Sequence, residues 1–169
     1  IYSIVASVSK VVATGANYQD IRLTLQEFFQ RMTPDAKVWG IPASALLGAV
    51  YAQMGLGLGA IGGKDSMSGT FESIHVPPTL ISFAIAPIKA QDVISPEFKA
   101  AGHPVYLFAP TDKAAESTKA AWESFHSFCK AGNVKAAWAV ENGLGEAVMK
   151  MSFGNCIGFV SNGNVGNNW

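Results

Sequence analysis

Residues 55–69 are dense in glycine (Gly55, Gly57, Gly59, Gly62, Gly63 and Gly69), and Lys64, Asp65, Ser66 and Ser68 sit among them. So much glycine costs too much chain entropy for a regular helix to run through this stretch. It reads as a loop around a short strand, Gly59 to Ile61, and it separates the patterned segments on either side. Before it, Ile41-Pro42-Ala43-Ser44 opens a helix with Pro42 in the first turn and an apolar stripe of Leu46, Leu47, Val50 and Met54; Gly55 ends it. After it, Val76-Pro77-Pro78 is a rigid, extended lead-in to a strand over Leu80 to Ala86.

The flanks carry weaker signals. Ile1, Val5, Val8 and Val12 share one helical face, and Gly15 follows as a stop. Ile21, Leu23 and Leu25 alternate with polar residues as in a strand, yet Ile21, Leu25, Phe28 and Phe29 also fit a helix, so residues 19–32 stay open. Residues 88–103 read as a linker. Beyond them come a strand over Val105 to Ala109 and a helix over Lys113 to Ala131, capped by Thr111-Asp112, with Ala121, Trp122, Phe125 and Phe128 inward. A helix over Gly143 to Phe153 turns Leu144, Val148 and Met151 inward; a short strand over Ile157 to Val160 and a frayed Gly/Asn-rich tail, Asn162 to Trp169, complete the chain.

Composition excludes several classes. The 169 residues are 49% hydrophobic and only 14% charged, which is enough to bury a core and argues against disorder. Twelve basic and twelve acidic residues leave no net charge to draw the chain to nucleic acid or anionic lipid. Apolar runs are broken before the ~18 residues a membrane helix needs. Two cysteines, Cys129 and Cys156, make neither a disulfide framework nor a zinc site, so a reduced, cytoplasmic setting is expected, with both as packed thiols. The first residue is Ile with no basic stretch ahead of its apolar run, which reads as a cut inside a longer protein and not as a signal peptide.

Gly57, Gly59 and Gly62 match G-x-G-x-x-G, but a dinucleotide site needs that pattern after a strand and before a helix, and here it follows a helix. A P-loop is excluded too, because Asp65 stands where its Ser/Thr belongs. The segment still suits an anion: glycines let N–H groups approach, Lys64 adds a charge, and Ser66 donates. The competing reading is a solvated turn. His75, His103 and His126 are scattered and read as surface or structural, Arg22 as a surface ion pair, and Glu141 and Glu146 have no site around them.

Ala60 to Phe71 (AIGGKDSMSGTF), followed by His75 to Ala84 (HVPPTLISFA), resembles phosphoribosylformylglycinamidine synthase, and more closely the second synthetase-like half of its long form. Val11 to Ala16, Trp39-Gly40, Gly48-Ala49 and Lys150 to Asn155 are similar as well, in order along most of the chain. The resemblance implies an ATP-dependent amidotransferase of purine biosynthesis. ATP activates a formyl amide oxygen, and ammonia from a glutaminase domain displaces the phosphate. It implies a fold between α/β and α+β. Residues 1–100 would be an aminoimidazole ribonucleotide synthetase-like N-terminal domain, a mixed sheet with helices on one face. Residues 101–169 would begin an α+β C-terminal domain.

By resemblance the catalytic residues are Lys64, Asp65 and Ser66; Gln26, Gly63 and Lys64 would contact nucleotide, and Ser66 and Ser68 the ribonucleotide substrate. ATP and Mg2+ belong to the whole enzyme, with neither held tightly by this piece and no metal ligands in it. Its partners would be the first synthetase-like half and the glutaminase domain of the same parent, and its N-terminal sheet would self-associate when isolated. The family holds magnesium at an auxiliary nucleotide site with a Glu, an Asn and an Asp; those positions fall here on Ala6, Lys10 and Trp138, none of them a carboxylate. That departure favours a second reading, a structural pseudo-domain bracing the catalytic half. A related ATPase of the same superfamily is a third reading, opposed by Val76-Pro77-Pro78-Thr79-Leu80.

Overall fold

A computed structural model describes residues 1–161. The chain forms a mixed α/β structure of two compact units. The first unit holds residues 1–8 and 19–86; the second holds residues 9–18 and those from Pro87 on. The first helix, α1 (Tyr2–Ala13), contributes to both.

The first unit is built on a three-stranded mixed sheet of order β2-β1-β5. Its centre, β1 (Arg22–Phe28), resolves the open segment as a strand. A ladder on each edge satisfies its backbone: parallel to β2 (Ala60–Ser66) and antiparallel to β5 (Thr79–Ile85). A helix there would forgo both ladders. Leu23 is fully buried, as are Ile4 and Val8 of α1, and Phe29 is nearly so. The Ser7 and Ser82 hydroxyls, 2.8 Å apart, tie α1 to one sheet face. The opposite face is open, with Ile81, Phe83 and Ile85 37%, 50% and 62% exposed. A two-residue hairpin, β3 (Thr70–Phe71) and β4 (Ile74–His75), turns through Glu72 at φ 52°.

The second helix, α2 (Ala36–Leu56), starts earlier than the pattern from Ile41 predicts. Asp35 sets the start: its carboxylate accepts the Lys37 N–H at 2.9 Å. Pro42 is therefore inside the helix and not in its first turn; with no N–H it makes no bond to the Val38 carbonyl. The helix runs past Gly55 to Gly57, whose left-handed φ of 70° caps it. The expected inward stripe is also turned outward. Pro42, Ala49, Ala52 and Leu56 are buried, whereas Leu46, Leu47, Val50 and Met54 are exposed. Removing the cap with Asp35→Ala is expected to lower stability by about 1 kcal/mol, seen as a lower urea midpoint at unchanged slope.

The second unit packs α3 (Ala115–Lys130) and α4 (Leu144–Phe153) with the end of α1. Its buried residues include Val12, Tyr18, Trp122 and Met151. The Trp122 indole donates to Ser9 at 3.1 Å, and the Tyr18 hydroxyl donates to Glu123 at 3.1 Å. Segment 88–103 is anchored by Ile94 N–H to the Thr14 carbonyl and Phe98 N–H to the Met151 carbonyl, each 2.9 Å. Two expected strands do not form: residues 105–109 and 157–160 are irregular, because no strand lies beside them among the described residues. Phe108 instead packs edge-on against Phe125 and Phe128. Phe128 stays 47% exposed, against its expected inward place. Cys129 is half-buried, and burial pushes its thiol up to about 11. Cys156 is exposed, not packed, at φ 55°. The tail from Asn162 lies outside the described residues. Among those residues, no helix is long and apolar enough to cross a membrane.

Candidate functional site

Within the glycine-rich segment the strand is longer than the short one expected at Gly59 to Ile61, running over Ala60–Ser66 and taking in Lys64, Asp65 and Ser66. Ala60–Ser66 lies along Leu23 to Phe28 of β1, with Ile61 as the extra residue of an irregularity between Leu23 and Thr24. Gly63 is what allows the approach: a Cβ there would stand 2.4 Å from the Leu25 carbonyl oxygen. The G-x-G-x-x-G match indeed leads from a helix into a strand.

Strand geometry then sorts the expected site residues. Register partners on adjacent strands share a face, and successive residues alternate. Gln26 pairs with Lys64 and Phe28 with Ser66, on the open face that Ile81 also shares. Lys64 makes no ion pair among the described residues. Asp65 pairs with Glu27 and falls on the other face. Lys64, Asp65 and Ser66 thus do not converge, as they would in a loop; β alternation divides them. Ser68 lies beyond the strand end, where its carbonyl accepts the Thr70 N–H at 2.8 Å. Gly69 N–H bonds the Phe29 carbonyl at 3.0 Å, which fixes this turn beside β1.

The face carrying Asp65 opens on a cleft of about 510 Å3. Leu25 and Glu27 of β1 and Gly62, Gly63, Lys64 and Asp65 of β2 form one wall; Trp39, Pro42 and Leu46 of α2 form the other. Glu27 is half-buried, and burial, then the neighbouring Asp65 charge, raises its carboxyl above the ordinary value of 4.5. The folded chain therefore binds more protons than the unfolded one just above that value, so stability falls as pH rises through the window. Urea unfolding across it is expected to show that fall, and Glu27→Gln is expected to abolish it. The sequence reading missed Glu27. The available signal was an acid at the inward position of the Leu23, Leu25, Glu27 alternation.

In the second unit, Lys10, Thr14, Ile94, Pro96, Ala137 and Trp138 line a smaller cavity of about 210 Å3. The Lys10 ammonium pairs with Glu141 at 2.9 Å, and the Lys150 ammonium lies 5.3 Å from the Trp138 ring centre. Glu146 pairs with Lys150, so both Glu141 and Glu146 are engaged. Lys10 and Trp138, far apart in sequence, do meet around one cavity. Its lining offers a cation and an indole where magnesium needs several oxygens, so these residues do not fit that metal. Among the described residues no three His, Cys, Asp or Glu side chains gather. Of the remaining suspects, Arg22 donates to the carbonyls of Gln19 and Ile21 instead of pairing with an acid. His126 lies 3.1 Å from the Gly15 carbonyl, and His75 lies 3.0 Å from the Thr70 hydroxyl.

Fold and site together define a small mixed-sheet α/β protein with one cationic, amide-bearing open sheet face. No protein family, curated protein or solved structure matches the chain.

Proposed function

We propose that the chain is part of an ATP-dependent carbon–nitrogen ligase of the phosphoribosylformylglycinamidine synthase type, from its second synthetase-like half, and that it has the aminoimidazole ribonucleotide synthetase-like fold. The observation that carries this reading is the pairing of Gln26 with Lys64. Resemblance assigns both to nucleotide, and β1–β2 register sets them side by side on an open face. An uncompensated ammonium beside an amide suits a phosphate chain. Ser66 lies on the same face for the ribonucleotide, whereas Asp65 leaves the set. Gly63 contributes by letting β2 close on β1.

Meeting of Lys10 and Trp138 around one cavity supports the second reading at the other site. Two of the three positions that the resemblance assigns to a metal line this cavity, Ala6 does not, and neither of the two carries a carboxylate. The segment thus serves a shared site through Gln26, Lys64 and Ser66, and braces its partner half elsewhere. ATP and Mg2+ would bind to the whole enzyme in the cytoplasm. The open Ile81, Phe83 and Ile85 row would meet a matching sheet of the parent, or a second copy when the piece is isolated.

The test is ammonia- and ATP-dependent amidine formation by the full-length protein. A wild type that makes no amidine sinks the family reading. Normal rates in both Lys64→Ala and Ser66→Ala, with the fold intact, sink the residue assignments alone.

A further inference from the structure

The cleft between α2 and β1–β2 is bordered along β2 by Gly62, Gly63, Lys64 and Asp65; strand alternation puts Lys64 and Ser66 on the face opposite Glu27 and Asp65, so the proposed ligase chemistry does not use the cleft's carboxylates. Its volume, about 510 Å3, is that of a small-molecule site. Its α2 wall is apolar and open: Trp39 is 51% exposed and Leu46 57%. The Trp39 indole donates to the Thr33 carbonyl at 3.0 Å, which holds the ring in place. Opposite stand Glu27 and Asp65, register partners on adjacent strands. Like charges so placed oppose strand pairing. Neither is in an ion pair among the described residues.

Charge complementarity selects the occupant. An anion is repelled by both carboxylates. A bare divalent ion lacks a third acidic ligand, and much of the wall offers no oxygen. A cation with an apolar body satisfies every wall: carboxylates for the charge, a fixed indole face for cation–π contact, and Pro42 and Leu46 for the body. We propose that this cleft binds a small organic ammonium ion, its nitrogen at Glu27 and Asp65 and its apolar body against Trp39, Pro42 and Leu46.

The probe is 2-phenylethylammonium chloride, titrated into the 15N-labelled chain at constant ionic strength, with neutral 2-phenylethanol as control. The ammonium ion is expected to bind about tenfold more tightly than the alcohol, a ratio within reach of one cation–π contact and a carboxylate contact. Shifts are expected to cluster at residues 25–27, 39–46 and 62–67. Glu27→Gln and Asp65→Asn are each expected to lower the affinity about fivefold or more, bringing it toward that of the alcohol. Equal affinity for ammonium ion and alcohol, shifts elsewhere, or unchanged binding in a folded variant would each overturn the proposal. Should Glu27→Gln fail to fold, Asp65→Asn and the alcohol comparison still decide. Ser66→Ala, outside the cleft lining, should leave this binding intact, which separates its failure from that of the ligase reading.

Discussion

Gly63→Ala is expected to detach β2 from the sheet at a cost of about 3 kcal/mol, near the top of what overpacking does. The added Cβ would lie 2.4 Å from the Leu25 carbonyl oxygen and 3.2 Å from its carbon. Both are backbone atoms, so no rotamer change relieves the contact; only separation of the strands does. Gly62→Ala is the control, since a Cβ there meets nothing within 4 Å. Urea unfolding should give a lower midpoint for Gly63→Ala and a nearly unchanged one for Gly62→Ala. Amide exchange should quicken along residues 24–28 and 62–66 in the first variant alone. Equal stability of the two would remove close packing as the reason for glycine at 63.

In the full-length protein, Lys64→Ala and Ser66→Ala are each expected to lower ammonia-dependent kcat/KM about a hundredfold or more, the scale of losing one preorganised charge stabiliser. The fold should tolerate both changes. Lys64 is exposed and unpaired among the described residues, and its removal breaks no ladder bond, because pairing runs through the backbone. Asp65→Asn is expected to cost far less, since strand alternation carries that carboxylate to the opposite face. A hundredfold loss in Asp65→Asn with normal activity in Lys64→Ala would place the site in the α2 cleft instead.

Residue patterns and tertiary context contributed differently to these expectations. The helix at residues 2–13, its stop before Gly15 and the helix near 144–153 are legible in a single stretch of chain. The strand over Leu80 to Ala86 is legible too, but not that Ile81, Phe83 and Ile85 face outward. The start of α2 was missed because Pro42 looks like a first-turn residue, while the Asp35 cap lies further upstream. Of the candidate site, the residue types at 26, 64, 65 and 66 were visible, but not their division between two faces.

Helical hydrogen bonds join residues four apart, so local periodicity, caps and glycine stops already determine where helices form. A strand is satisfied only by a neighbour remote in the chain. The same kind of apolar stretch therefore became a strand at 22–28, between two ladders, and stayed irregular at 105–109, where no strand lies beside it. The sequence by itself determined the helices, the low-charge, core-forming composition and the chemistry available near Lys64. Tertiary structure alone decided that Gln26 meets Lys64, that Glu27 meets Asp65, and that a cleft opens beside them, because each depends on which distant strand supplies the partner.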